Sequence, residues 1–357
     1  MSWKTIFKID NCTNFVEKCL FALWFEGKDV LLPRFMNLTH RSVLICSVLH
    51  LLVDGTCACA LYLLASNCDA NILSVFIIYN VLAFLTQPLT GFMADKIKRQ
   101  KTVLLSSAIL LSTAVIATAV IVKTGVCSPT LWTLAVEATL LGIGNSLFHV
   151  WGGRLVAIQT KNDIRALGIF VSTGAMGLAI GFVACSWGLL SAMIVAIWVA
   201  YTTISPTKPI SPIRPINPIS PITPITPITL FFLLLIIAFV MFRSYIGDVF
   251  TTGIERSNTI VLTIATITMF GKMAGGFISR WIGWVPTAIM LVLAVIICSI
   301  LKTEGALNAA AIIGIFAINC TMPITLYLAN RLLPGREGLA FGLLAAALIP
   351  PYLSALL

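Results

Sequence analysis

Long apolar runs, broken by short polar stretches, set the plan of this chain. An α-helix needs about 20 mainly apolar residues to cross a bilayer. Eleven runs meet that need, at 43–66, 71–94, 102–122, 131–154, 165–186, 188–204, 230–250, 258–280, 284–301, 306–330 and 337–356. Residues 16–25 are apolar too, but the run is short and flanked by charge, so it reads as a helix lying in the membrane interface. The pattern predicts an all-α polytopic membrane protein.

Composition sharpens this reading. Of 357 residues, 59% are hydrophobic and 10% charged, against about 25% charged in a soluble domain. Such a chain cannot cover a water-facing surface. The net charge of +10 does not point to nucleic acid, because the cations lie between apolar runs and not on one soluble face. They orient the protein and meet anionic lipid. Of the 23 lysines and arginines, Lys123, Arg256 and Lys302 fall in one set of alternate loops and Arg243 and Lys272 within spans. All the others lie on the side of the N-terminus. Positive charge is retained on the cytoplasmic side, which places the N-terminus in the cytoplasm of a plasma or inner membrane and the end of the eleventh span outside. The first forty residues show no cleavable leader.

The ten cysteines show no metal-ligand spacing. Cys57 and Cys59 sit inside an apolar run and read, like most of the others, as small core residues. Cys68 and Cys127 fall in loops on the outer side; they are free thiols or, if the compartment oxidises, a pair.

One loop carries a recognisable motif. Gly91-Phe92-Met93-Ala94-Asp95-Lys96-Ile97-Lys98-Arg99-Gln100-Lys101 joins the second and third spans. Gly91 permits two helices to approach, and Asp95 at a helix end can pair with cations or cap backbone donors. This loop resembles the signature of the major facilitator superfamily, Gly-x-x-x-Asp-Arg/Lys-x-Gly-Arg-Arg/Lys. Gly91, Asp95, Lys96 and Arg99 match, while Lys98 stands where the family has Gly and Gln100 where it has a cation. A weaker second copy, Gly275 to Gly283, closes the eighth span with Arg280 in place and Ser279 where the acid belongs. The segment Gly144–His149 resembles the fourth helix of the fosmidomycin-resistance-like branch without implying a substrate.

The resemblance implies a two-lobe helical bundle of twelve spans, of which this chain shows about eleven. The expected division is a cytoplasmic segment at 1–42, a six-helix lobe at 43–204, a linker at 205–229 and a lobe of about five helices at 230–357. In the linker, prolines recur at every third position from Pro206 to Pro227. That is the period of polyproline II, which would reach roughly 75 Å if fully extended. It reads as a low-complexity linker, with a docking peptide for an SH3-like domain as the alternative. Gly168, Gly174, Gly177 and Gly181 in the fifth span are spaced for close helix contact.

A charge at mid-bilayer costs about 2.5 to 3.5 kcal/mol on insertion scales, so buried ionisable residues are functional candidates. They concentrate in four spans. The first holds His50 and Asp54, four apart and therefore on one helix face. The fourth holds Glu137, Asn145 and His149, the seventh Arg243, Tyr245 and Asp248, and the tenth Asn319. His50 and His149 come out at similar depth, and Asp54 and Arg243 are placed to bridge the two lobes. In the superfamily these four helices line the central cavity, so the resemblance implies that all nine residues bind substrate or protons. It also implies that Gly91, Asp95, Lys96 and Arg99 form a conformational latch at the inner face.

The expected function is secondary active transport of a small organic solute by alternating access, coupled to protons as efflux. Uptake by proton symport is the near alternative. An intramembrane transferase or a degenerate, non-transporting copy are the rivals from other classes. No enzymatic activity, cofactor, resident metal or nucleic-acid partner is expected, and the protein is expected to be a monomer.

Overall fold

A computed structural model describes residues 38–67, 72–97, 100–124, 131–204 and 225–350. The interfacial helix at 16–25, most of the proline repeat, Arg99 and the Cys68/Cys127 pair lie outside those residues.

Among the described residues, eleven helices occupy the eleven predicted positions. They are α1 (Leu38–Asn67), α2 (Ile72–Lys96), α3 (Gln100–Lys123), α4 (Leu131–Gln159), α5 (Ile164–Val183), α6 (Trp187–Ile204), α7 (Pro227–Thr251), α8 (Asn258–Ile282), α9 (Trp284–Leu301), α10 (Ala309–Leu332) and α11 (Glu337–Ala346). Eight of them, α1 to α3, α5 and α7 to α10, are long and apolar enough to cross a membrane. The α4 helix is 29 residues long, but Glu137, Asn145, His149 and Arg154 lower its hydropathy. The α6 and α11 helices are apolar but shorter; a turn at Ala347 and Leu348 interrupts α11, and helix resumes at 349–350, where the described residues end.

Local sequence explains where the helices start. Thr226, Ser257 and Asn308 each accept a backbone N–H three residues on, the geometry of an N-cap. Pro227 sits in the first turn of α7, where its missing donor costs nothing. Asp163 caps α5 by accepting from the Arg165 N–H at 2.9 Å. The α2 helix is interrupted by a π turn at Val81–Leu85, just before Pro88. There the Thr86 and Thr90 hydroxyls lie 2.8 and 3.1 Å from Ser146 Oγ of α4, giving the irregular turn a polar anchor.

The bundle has an inside and a lipid side. α1, α5 and α10 are largely enclosed, whereas α7, α8 and α9 turn most of their surface outward. Ile289, Leu293, Ile296 and Ile300 on α9 are all exposed. In water this belt would drive aggregation, but in hydrocarbon it costs nothing, because lipid tails are as apolar as the side chains. Trp132 and Trp281, both near helix ends, are more than 80% exposed, as interfacial indoles are.

The first six helices and the last five meet along two seams, α5 against α8 and α2 against α11. One apolar core runs through α1 to α6, around Leu49, Leu111, Phe148 and Phe170, and takes in Phe341 and Leu344 of α11. A smaller one, around Phe250, Leu291 and Ile315, holds α7 to α10 together. At the end away from the basic loop, Cys59 of α1 and Cys185, just after α5, are joined by a disulfide across 126 residues. This pairing was not anticipated: Cys59 read as a plain core residue.

A buried histidine–aspartate node and a helix-end cap

Asp54 lies near the middle of α1 and is 6% exposed. A lone carboxylate there would be costly, and three side chains surround it. Asn145 of α4 donates its amide to Asp54 Oδ1 at 3.0 Å. His50 Nε2, one turn earlier on α1, lies 3.3 Å from Oδ2, and His149 Nε2, one turn on from Asn145, lies 3.4 Å from Oδ1. Each imidazole is fixed through its other nitrogen. His50 Nδ1 is 2.7 Å from the Phe170 carbonyl oxygen of α5, and His149 Nδ1 is 3.0 Å from the Asn145 carbonyl oxygen. A carbonyl only accepts, so both Nδ1 atoms carry the proton and both Nε2 atoms face the carboxylate.

Helix geometry builds this node. The i, i+4 spacing stacks His50 on Asp54 and His149 on Asn145. The two rings then meet edge to face with centroids 4.5 Å apart. Phe170 covers His50 at 4.8 Å, and Phe148 and Phe341 complete an aromatic wall. Gly174 of α5 supplies the room: a Cβ there would overlap Asp54 Oδ2 and His50 Nε2. Gly177 and Gly181 continue the contact against the Leu51 and Gly55 backbone, so the small-residue stripe of α5 works as a packing surface, as its spacing suggested.

The second polar centre lies at the end of the bundle that carries the basic loop. Asp95, at the end of α2, accepts from the Gly338 and Leu339 backbone N–H groups, each at 2.9 Å, and from Arg154 Nε at 2.8 Å. Gly338 and Leu339 belong to the first turn of α11, so Asp95 caps a helix of the other half from outside and meets the positive end of its dipole. Arg154 brings in α4. The approach needs glycine: a Cβ on Gly91 would overlap the Gly338 carbonyl oxygen.

These centres sit within a recognisable family frame. A family model described as Major Facilitator Superfamily matches residues 43–348. The chain belongs to that superfamily. No curated protein shows significant sequence similarity to it. Among solved structures it is similar to a bacterial homologue of the iron transporter ferroportin in an outward-facing state. The identity there is 16% and the TM-score 0.54, covering 88% of this chain and 91% of the other. It is similar too to the same kind of protein in an outward-facing state with soaked iron, at 15% identity and a TM-score of 0.53, covering 90% and 91%. At such identities the likeness concerns the fold. Together these findings make the chain an integral, multi-pass membrane transporter.

Within this facilitator fold, the predicted residues divide. His50, Asp54, Asn145 and His149 converge. Arg243 is buried, but its Nη1 faces Met322 Sδ at 3.3 Å and its Nε has no partner. Among the described residues no Asp54–Arg243 ion pair forms, because His50, His149 and Asn145 already take the carboxylate. Lys272 of α8 is close enough to Arg243 for the two to repel, and forms no ion pair among the described residues. Glu137 is fully buried but turned away from the node, with one oxygen accepting from Thr118 Oγ1 of α3 at 2.8 Å and the other unpaired. Tyr245 is 56% exposed and Asp248 is exposed. Each residue turns the helix by about 100°, so positions two and five beyond buried Arg243 fall on the side of α7 away from it. Asn319 is half-buried and donates to the Ile315 carbonyl of its own helix at 2.8 Å. At the Asp95 cap, Lys96 reaches over the Phe92 ring at 3.9 Å and does not touch Asp95; Arg154 does. A cation near the C-terminal end of α4 was visible in the sequence, but its partner was not.

Proposed function

We propose that this facilitator moves a small solute across the membrane by alternating access, exporting it in exchange for protons. In this reading the two halves, divided near residues 205–229, rock about the Asp54 node. The N-terminus faces the cytoplasm, and the Asp95 latch holds the cytoplasmic side closed. The observation that carries the reading is the Asp95 cap itself: a link between the first half and the first turn of α11 that can be made in one arrangement of the halves and not in the other. Two further features support it. The position of the Cys59–Cys185 bond, at the end opposite the basic loop, fits an oxidising outer side. The outward-facing state named for both structural neighbours matches an inner side that is sealed. The unit acts as a monomer, with lipid against α7 to α9.

Purified protein in liposomes containing a pH-sensitive dye tests this. A proton gradient is imposed, and a panel of organic cations, organic anions and divalent metals is added in turn. At least one solute should dissipate the gradient, and Asp54→Asn should abolish that response. Uptake by symport would reverse the sign of the coupled proton movement. If no panel member moves protons beyond the rate in protein-free liposomes, with the protein folded, the proposal fails.

A further inference from the structure

We infer that the node formed by His50, Asp54 and His149 is a binding site for a divalent first-row transition-metal ion, and that this ion is a cargo of the transporter. Calling the metal a cargo rests on the transporter reading above; the site itself rests on geometry alone. His50 Nε2, His149 Nε2 and an Asp54 oxygen all lie within 4.8 Å of one another. Both Nδ1 atoms are committed as donors to carbonyl oxygens, so each imidazole turns Nε2 to the carboxylate, as a donor when protonated and with a lone pair when neutral. Lone pairs converging in an enclosed site repel unless a cation lies between them. The separations of 3.3 and 3.4 Å are longer than charge-assisted N–H···O bonds, which run about 2.7 to 2.9 Å. Each is near the ligand–ligand distance of about 3.3 to 3.4 Å expected for two atoms about 2.0 to 2.1 Å from one metal; the imidazoles meet different Asp54 oxygens, so the ion would draw the set in from its 4.8 Å spread.

The surroundings have the form of a metal site's outer shell. Ligating histidines usually donate their second ring N–H to a carbonyl or carboxylate, which fixes tautomer and ring; here both do. Asn145 orients the Asp54 carboxylate. Two imidazoles and one carboxylate suit Fe²⁺, Zn²⁺, Co²⁺ or Ni²⁺ better than Ca²⁺ or Mg²⁺. Three protein ligands leave coordination positions open, as an ion that must leave again requires. Lys272 acts on the node electrostatically from α8. Its charge opposes binding, and Asp54 offsets it.

Co²⁺ is the probe, read by its visible absorption bands on the full chain in lipid nanodiscs, with Zn²⁺ as competitor. One Co²⁺ per chain should bind, and Zn²⁺ should displace it. His50→Ala and His149→Ala should each weaken binding by about tenfold or more, on the scale of lost ligand-shell groups. Gly174→Ala removes no ligand but sets a methyl against Asp54 Oδ2 and His50 Nε2, and should also block the site. Glu137→Gln, buried outside the node, should leave binding unchanged. Thermal unfolding of each variant confirms that it is folded. Absence of Co²⁺ binding to folded wild type, or equal binding by wild type and the His50, His149 and Gly174 variants, overturns the inference. If an organic solute drives proton exchange while Co²⁺ does not bind, the metal site falls and the transporter stands. If Co²⁺ binds at the node and no solute or metal moves protons, the site stands and the transporter falls.

Discussion

Asp95→Asn is the sharpest test of the latch. The substitution keeps shape and removes charge. Asn retains one acceptor oxygen: placed at Oδ1 it keeps the Gly338 and Arg154 donors and loses Leu339, and placed at Oδ2 it keeps Leu339 alone. Its amide N–H then faces a remaining donor. In either orientation Arg154 loses its anionic acceptor, and a charge-assisted bond of this kind is worth about 1.5 to 3 kcal/mol. Loss of the negative charge at the α11 N-terminus adds about 0.3 to 2 kcal/mol. The total is about 2 to 5 kcal/mol, and it is lost only where the latch is closed. At about 1.4 kcal/mol per decade, the ratio of closed to open should fall at least about 30-fold. The overall fold should hold, because both apolar cores are untouched. Spin labels at Met93 of α2 and Arg331 of α10, both exposed, report the opening as a longer distance distribution. An unchanged distribution in a folded Asp95→Asn protein would refute the argument, because it would mean that the Asp95 bonds exist equally in every state.

Three further outcomes follow from the same geometry. Gly91→Ala should open the same side, since a methyl there displaces the Gly338 carbonyl; combined with Asp95→Asn it should add less than its own effect, because the two share one contact. Peptide mapping without reductant should recover Cys59 and Cys185 in one linked species, and recovery only as free thiols would contradict the pairing. The Arg165 guanidinium holds the Asp163 carboxyl below the usual carboxylate range. Its folded value is therefore below its unfolded one, so its contribution to stability is full above about pH 4 and is lost as pH falls toward the depressed value. Asp163→Asn, still a good N-cap, should flatten that acid-side part of the melting-temperature profile without a large loss at pH 7; an unaltered profile would argue against it.

The spans were legible because membrane crossing demands length and apolarity, and both are written in the chain. The node was half legible: His50 and Asp54 share a face by spacing, and His149 came out at matching depth. What the sequence does not carry is the rotation of one helix against another. Sequence alone did not show that Tyr245 and Asp248 are exposed on α7, that Glu137 pairs with Thr118, or that nearer partners on α1 and α4 take the Asp54 carboxylate in place of Arg243. The latch failed in a related way. Asp95 was identified, but its donors are backbone N–H groups of α11, some 240 residues on, and a backbone N–H leaves no mark on residue identity.

The most direct test of the central claim measures both ends of one molecule together. Spin labels at Ser66 and Thr252 report the end away from the basic loop, where both positions are exposed, while Met93 and Arg331 report the other. On going from wild type to Asp95→Asn, the Met93–Arg331 distance should lengthen as the Ser66–Thr252 distance shortens, in matched proportions. If one end changes while the other stays fixed, the halves do not rock about the Asp54 node.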